Sequence, residues 1–332
     1  GVGLVGSEMC IRDSGIPVHT TDFGHDNIFG FSTSNLAKWI EEKSFGKIKA
    51  KNILHVKIKQ LDMAFNNEDG FESLLKFLSK LENNTSVVVD AKLPHHLEIL
   101  ASAIKVVSKE KRFLFRTAAS FINSLSALPP NPKCTADLVS LKSKNNEYKY
   151  KPGLIIVGSH VKLATDQLEV LMMDNSCKGL EIPVSKLANI FALEDRQQAI
   201  LEIEYTLLSK IDDILDLEKV PVLYTSREEM KFSSYSERMT FGLELAEFMA
   251  ILVRKITNKL GYIISKGGIT TQILLQKGLN FNYVNLKGQI LPGLSIVTGD
   301  SDQYNLPVVT FPGNLGNEKT LLEVLKLMDS IS

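Results

Sequence analysis

Three short stretches carry the residue types that hold an oxyanion: GSH at 158–160, KGGITT at 266–271 and PGNLG at 312–316. Each follows an apolar, β-branched run and precedes a helix-like pattern. Glycine lets the main chain approach a phosphate closely, and the unpaired N–H groups of the next turn supply donors. Gly158, Gly267, Gly268, Gly313 and Gly316 are candidates on that ground, with Ser159, Thr270, Thr271 and Asn314 beside them as side-chain donors. A glycine after a strand is also the mark of a tight turn or a close helix contact, so no single turn decides the matter. Their recurrence in one half of the chain points to nucleotide binding. Neither GxxxxGK(S/T) nor GxGxxG occurs, which argues against a P-loop or a dinucleotide site of the usual kind.

Other polar residues have two readings each. Arg227 closes an expected strand and has the fork geometry for phosphate, or it pairs with Glu228 and Glu229 beside it. Lys266 would neutralise phosphate charge or stand solvated on its loop, and His160 follows Ser159 as a weaker candidate. His95 and His96 open a helix; neighbours in sequence do not face one ligand there, so a capping or surface role is expected rather than a metal site. Asp22, His25 and Asp26 offer metal ligands or form an Asx-rich turn. No catalytic base and no metal-ligand set emerges from spacing. Cys10, Cys134 and Cys177 are scattered, which suggests neither a disulfide framework nor zinc and fits a reducing cytoplasm.

The elements that must position these residues are α/β. The chain has 332 residues, 44% of them hydrophobic, enough for two domains with separate cores. Basic and acidic residues balance at 38 each, so no global field favours a nucleic acid or an anionic membrane. No apolar run approaches the ~20 residues of a membrane span. Residues 1–14 lack a clean period and look like translated sequencing adapter, so they are set aside, and the natural protein is expected to begin further upstream. Residues 15–130 predict an incomplete α/β domain: helices in TSNLAKWIEEKSFG and GFESLLKFLSKLENN, a strand at 87–89 ending at Asp90, a helix opening at Pro94, and a second strand at 113–115. The proline- and lysine-rich stretch 131–152 predicts a linker. Residues 153–332 predict a second domain with a mainly parallel sheet, including a helix from about 165 to 174 and a long one over 234–260 closed by Gly261.

The segments IPVHTTDFGHDNIFGFSTSNLAKWIEEK, FLFRTAASF, GLIIVGSHVKLATDQLEVL, VLYTSRE, SKGGITTQILLQKGL, GQILPG and VVTFPGNLGNEKTLLEVL resemble, in order, the four-carbon acid sugar kinase family of tetronate and threonate kinases. The resemblance runs from about residue 15 to the end. It implies an N-terminal domain for the acid sugar, a C-terminal domain for ATP, and phosphorylation of a terminal hydroxyl with Mg²⁺ in a cleft between them. It further implies that Gly158 and Ser159, then Gly267, Gly268, Ile269 and Thr270, then Gly313, Asn314 and Gly316 bind the nucleotide, and that Arg116 and Ser120 serve the substrate. Arg116 would hold a carboxylate or phosphoryl group, or else form an ion pair between strands. Ile269 stands where many members have an acidic residue, and the family's opening Asp-Asp-x-Thr-Gly-Ala block does not occur in these residues. The expected partners are a sugar acid and ATP, with a homodimer as one assembly and no nucleic acid or membrane. A nucleotide-responsive module without catalysis is the competing expectation.

Overall fold

The computed structural model describes residues 16–21, 24–25, 30–126, 135–227, 230, 232–299 and 306–330. The chain divides into two units, Gly1–Pro130 and Asn131–Ser332.

In the first unit the expected amphipathic helices form where an Asx residue can cap them. Asn35 accepts from Lys38 N at the start of α1 (Leu36–Lys43). Strand β1 (Leu54–Val56) and helix α2 (Ile58–Asn66), neither evident in the sequence, come next. Asn67 then caps α3 (Glu68–Ser79) by accepting from Gly70 N. Strand β2 (Val87–Val89) leads into α4 (Pro94–Val107), whose proline sits in the first turn, and α5 (Ala119–Ser126) follows. β1 and β2 pair in parallel, Leu54 opposite Val87, and a core of Val56, Leu61, Leu74, Leu100 and Ile104 lies under the helices. The strand expected at 113–115 does not form: residues 111–118 are irregular and Leu114 is fully exposed. An apolar triplet becomes a strand only when another strand offers it a ladder.

The second unit opens with α6 (Thr135–Val139), so the stretch expected as a linker is part of a packed body. Leu138 and Val139 are buried in its core. The elements continue as β3 (Gly153–Val157), α7 (Lys162–Met172), β4 (Cys177–Ile182), α8 (Val184–Phe191), α9 (Gln197–Asp216), β5 (Val220–Thr225) and α10 (Tyr235–Ile256). After them come β6 (Tyr262–Lys266), α11 (Gly268–Ile273) with a π turn through Gly278, β7 (Val284–Leu291), β8 (Leu294–Gly299), β9 (Val308–Phe311) and α12 (Thr320–Asp329). Gly261 does not close the long helix: α10 ends at Ile256, and the glycine lies against the Lys151 carbonyl at the entry to β6.

One seven-stranded sheet runs in the order β4-β5-β3-β6-β9-β8-β7. β4, β5, β3, β6 and β9 are parallel, while the β7–β8 hairpin closes one edge in antiparallel register. The central strands are continuous apolar runs because helices cover both faces. Leu154 and Ile156 of β3 face α9 and α10 in one core, and Ile155 and Val157 face α7 and α12 in the other. The chain leaves β3 toward β4 and β5, then crosses to β6 on its other side. The strand order therefore reverses between β3 and β6, and in open α/β sheets ligands bind at the carboxyl ends of the strands flanking such a reversal.

Candidate functional site

The three glycine turns leave the carboxyl ends of β3, β6 and β9, which are adjacent parallel strands. They touch one another. A Cβ on Gly158 would lie 2.1 Å from Thr270 Oγ1, one on Gly267 would lie 3.3 Å from Ser159 N, and one on Gly313 would lie 2.3 Å from Ser159 Oγ. Gly267 also has φ of +124°, which an L side chain rarely adopts. Gly316, at φ +84°, turns the chain toward α12, and Gln167 on α7 holds that turn by donating to the Leu315 and Asn317 carbonyls at 3.1 and 2.6 Å.

These contacts change the expected role of the glycines. The N–H groups of Gly158 and Gly267 extend the sheet ladder, to Lys266 O at 3.1 Å and Phe311 O at 2.9 Å, so they are not available to a ligand. Gly158 and Gly313 are glycine because the neighbouring turn leaves no room, and Gly267 because of its positive φ. Gly268 differs: it is exposed, and a Cβ there meets nothing within 4 Å. The amides of Gly268, Ile269 and Thr270 have no acceptor among the described residues. Ile269 is half-exposed, whereas Thr270 is buried with its hydroxyl turned to Gly158. Thr271 donates to Ser265 O and is a structural hydroxyl.

Two basic side chains lie under the turns. Lys266 is fully buried rather than solvated; its Nζ donates to the carbonyls of Pro312 and Gly313 at 3.2 and 3.1 Å and sits 4.0 Å from the Phe311 ring centre. Arg227, at the end of β5, donates through Nη1 to the Ser159 carbonyl, and its Nε and Nη2 are buried without a hydrogen-bond partner. Its expected neighbours in an ion pair, Glu228 and Glu229, fall outside the described residues. His160 Nε2 lies 3.0 Å from Thr225 Oγ1, and burial together with the charges of Arg227 and Arg238 holds its pKa below the usual histidine range. Among the described residues no carboxylate forms an ion pair with Lys266 or Arg227.

Burial, reinforced by Arg227, pulls the Lys266 amine down from an ordinary 10.5 to about 7. The unfolded lysine keeps its proton through that interval, so the unfolded chain binds more protons and stability rises with pH between those values. Lys266→Met removes the penalty while filling the same space. It should be more stable than the wild type by roughly 3 kcal/mol at pH 7, the gap narrowing by roughly 2 kcal/mol at pH 9. Urea unfolding at both pH values checks this, and parallel pH dependences of the two proteins would refute it.

In the first unit Arg116 and Ser120 are both exposed. The Arg116 guanidinium stacks 4.5 Å from the Trp39 ring centre and forms no ion pair with a described carboxylate, so the expected inter-strand pair is absent there. A small cleft that the sequence reading missed lies between β1, β2 and α1, lined by Asn35, His55 and Asp90 among others. His55 Nε2 is 2.8 Å from Asp90 Oδ2. The only signal in the sequence was an aspartate directly after a β-branched run. His96 caps α4 as expected, its Nδ1 accepting from Lys92 N at 3.0 Å, and its Nε2 lies 2.8 Å from Asp62 Oδ1. His95, His96 and Asp62 nevertheless bring three ligand atoms within 4.8 Å, contrary to the expectation that adjacent histidines diverge. Both nitrogens of His96 are already engaged. Asp22 and Asp26 lie outside the described residues, and His25 is exposed. Cys177 is buried and its thiol is raised to about 11, which makes it unreactive; Cys10 and Cys134 are not described.

No described helix is long and apolar enough to cross a membrane. No curated protein matches the chain. Its fold is similar to a Salmonella typhimurium LT2 protein provisionally called a tRNA synthase, at 15% identity and TM-score 0.56 over 93% of this chain. It is likewise similar to a Haemophilus influenzae protein of the DUF1537 family, at 17% identity and TM-score 0.52 over 98% of this chain. The chain spans 66% and 70% of their respective lengths. Residues 4–125 match the family description "Sugar-binding N-terminal domain", a match that begins within the opening stretch set aside above, and residues 154–321 match "Nucleotide-binding C-terminal domain". With these two domains in this order, and with the glycine turns of the second gathered on three adjacent strands, the chain belongs to the four-carbon acid sugar kinase family.

Proposed function

We propose that the protein is an ATP-dependent kinase that phosphorylates the terminal hydroxyl of a four-carbon sugar acid such as threonate, erythronate or 3-oxo-tetronate. The observation that carries this reading is the junction of the β3, β6 and β9 turns, where exposed amides face open space above the buried Lys266 and the half-buried Arg227, which pair with no described carboxylate. Such a site favours a polyanion, because a buried positive charge without a counter-ion is unstable until one arrives.

The residues fit a nucleotide's phosphates. Gly268 and Ile269 amides would donate to phosphate oxygens, and the free edge of Arg227 offers two parallel N–H groups to one of them. Phosphoryl transfer needs chiefly positioning and neutralisation of charge on the transferred group. Mg²⁺ would come with ATP, held mostly by phosphate oxygens and water, and would offset charge on those oxygens. Among the described residues, the one cluster of three close metal-type ligands is Asp62, His95 and His96 in the other unit. The sugar acid belongs to the first unit on this reading, where Asp90, His55 and Asn35 present hydrogen-bonding groups to the cleft.

Coupled ADP production with MgATP tests the proposal. The protein should bind ATP, and one of threonate, erythronate and 3-oxo-tetronate should give saturable ADP release. ATP binding with no release for any of the three would reduce the protein to a nucleotide-binding module.

A further inference from the structure

A lysine at the end of a strand normally reaches solvent, yet Lys266 turns inward beneath the three turns and is 0% exposed. Its Nζ fastens the third turn through the carbonyls of Pro312 and Gly313, while its own backbone carbonyl accepts from Gly158 N of the first. One residue thus ties β6 to both neighbouring turns. The charged group acting on it is Arg227, which is itself faced by Tyr224 of β5 and Glu181 of β4. Arg227 approaches from the end of β5, and both it and Arg238 of α10 act on His160 in the turn after β3. From β9 it meets only the face of Phe311.

We propose that Lys266 is the positioning residue of the nucleotide site, and that binding of the polyphosphate is coupled to uptake of a proton by its amine. The inference rests on the nucleotide reading above. In the free protein, burial and the neighbouring guanidinium disfavour the ammonium. An oxyanion brought to the Gly268 amides supplies a negative charge, which raises the amine's proton affinity. The ammonium formed keeps its donors on the Pro312 and Gly313 carbonyls, so charging the lysine and holding the third turn beside the phosphates are one event. By linkage, a ligand that raises a group's proton affinity binds more weakly as pH rises above the free group's pKa.

The experiment is isothermal titration of the full chain with MgATP at pH 8 in two buffers of different ionisation enthalpy. The phosphates of free ATP are already ionised at that pH and contribute little. With Lys266 about 7 in the free protein, the wild type should take up about 0.9 proton per ATP, and Kd should rise close to tenfold per pH unit above pH 7.5. K266M should bind at least tenfold more weakly with no proton uptake, and K266R, permanently charged, should bind with a pH-independent Kd. Buffer-independent heats from a wild type that binds ATP overturn this inference and leave the nucleotide reading intact. Undiminished uptake in K266M overturns it as well, because another group would then take the proton. Absence of ATP binding overturns both.

Discussion

Gly268→Asp should abolish nucleotide binding without unfolding the protein. Gly268 stands at the first position of α11, exposed, with open space where a Cβ would go and no positive φ to preserve. An aspartate fits there sterically, and an acidic residue in the first turn of a helix is mildly stabilising. Against a phosphate about 4 Å away it is costly: two like charges at the effective dielectric of a protein surface repel by about 4 kcal/mol. Screening reduces that figure, but a loss of roughly 3 kcal/mol still weakens ATP binding more than ~100-fold. The carboxylate would also supply a counter-ion to Lys266 and Arg227, which form no ion pair with a described carboxylate, occupying the position of the ligand. Displacement of a fluorescent ATP analogue measures the loss, and a melting temperature within a degree or two of the wild type shows that the fold is intact. Gly268→Ala, which adds no charge, should keep affinity within several-fold. Unchanged affinity in the aspartate variant would place the nucleotide elsewhere.

Gly153→Ala should destabilise the second unit strongly. Gly153 opens β3 directly opposite Tyr262 of β6, and a Cβ there would lie 2.2 Å from the Tyr262 ring. The ring cannot swing away. Tyr262 is fully buried, and its hydroxyl donates to Asp329 Oδ1 at 2.6 Å on α12. The methyl must separate β3 from β6 or displace α12, at an expected ~3 kcal/mol or more. Because these two strands carry the Gly158 and Gly267 turns, ATP affinity should fall with stability. Urea denaturation tests the magnitude. Adding Tyr262→Leu should recover part of the loss, since a smaller side chain vacates the space while giving up the Asp329 bond; no recovery would show that the clash is not with this ring.

The elements that frame the site were legible because their burial leaves a simple trace. LIIV, YIIS and VVTF each read as a strand within a covered sheet, and the capped, periodic stretches around Asn35, Asn67 and Ser234 read as helices. The failures have local causes. Phe113–Phe115 carries the composition of a strand but has no ladder to join, a condition set by chain far away in sequence. The stretch 131–152 is polar and prolyl in aggregate, yet Leu138 and Val139 are buried in the core. Composition averages over a window, whereas anchoring depends on single side chains.

The same division runs through the site. The residue types alone marked the three glycine turns and the absence of the usual phosphate-loop spacings, because backbone freedom and strand–helix alternation are local properties of the chain. Only the tertiary structure decided that β3, β6 and β9 stand side by side, since strand order is set by crossovers that no short segment encodes. It also decided which glycine faces a ligand. Gly158, Gly267 and Gly313 are crowded by neighbouring turns, whereas Gly268 looks into open space. Lys266 shows the limit most plainly: in sequence it is a lysine beside a loop, and only the packing of Phe311 and the Pro312–Gly313 carbonyls around it makes it a buried amine of shifted proton affinity. Local sequence specifies what a residue can do; the dielectric and the neighbours that determine what it does are properties of the folded whole.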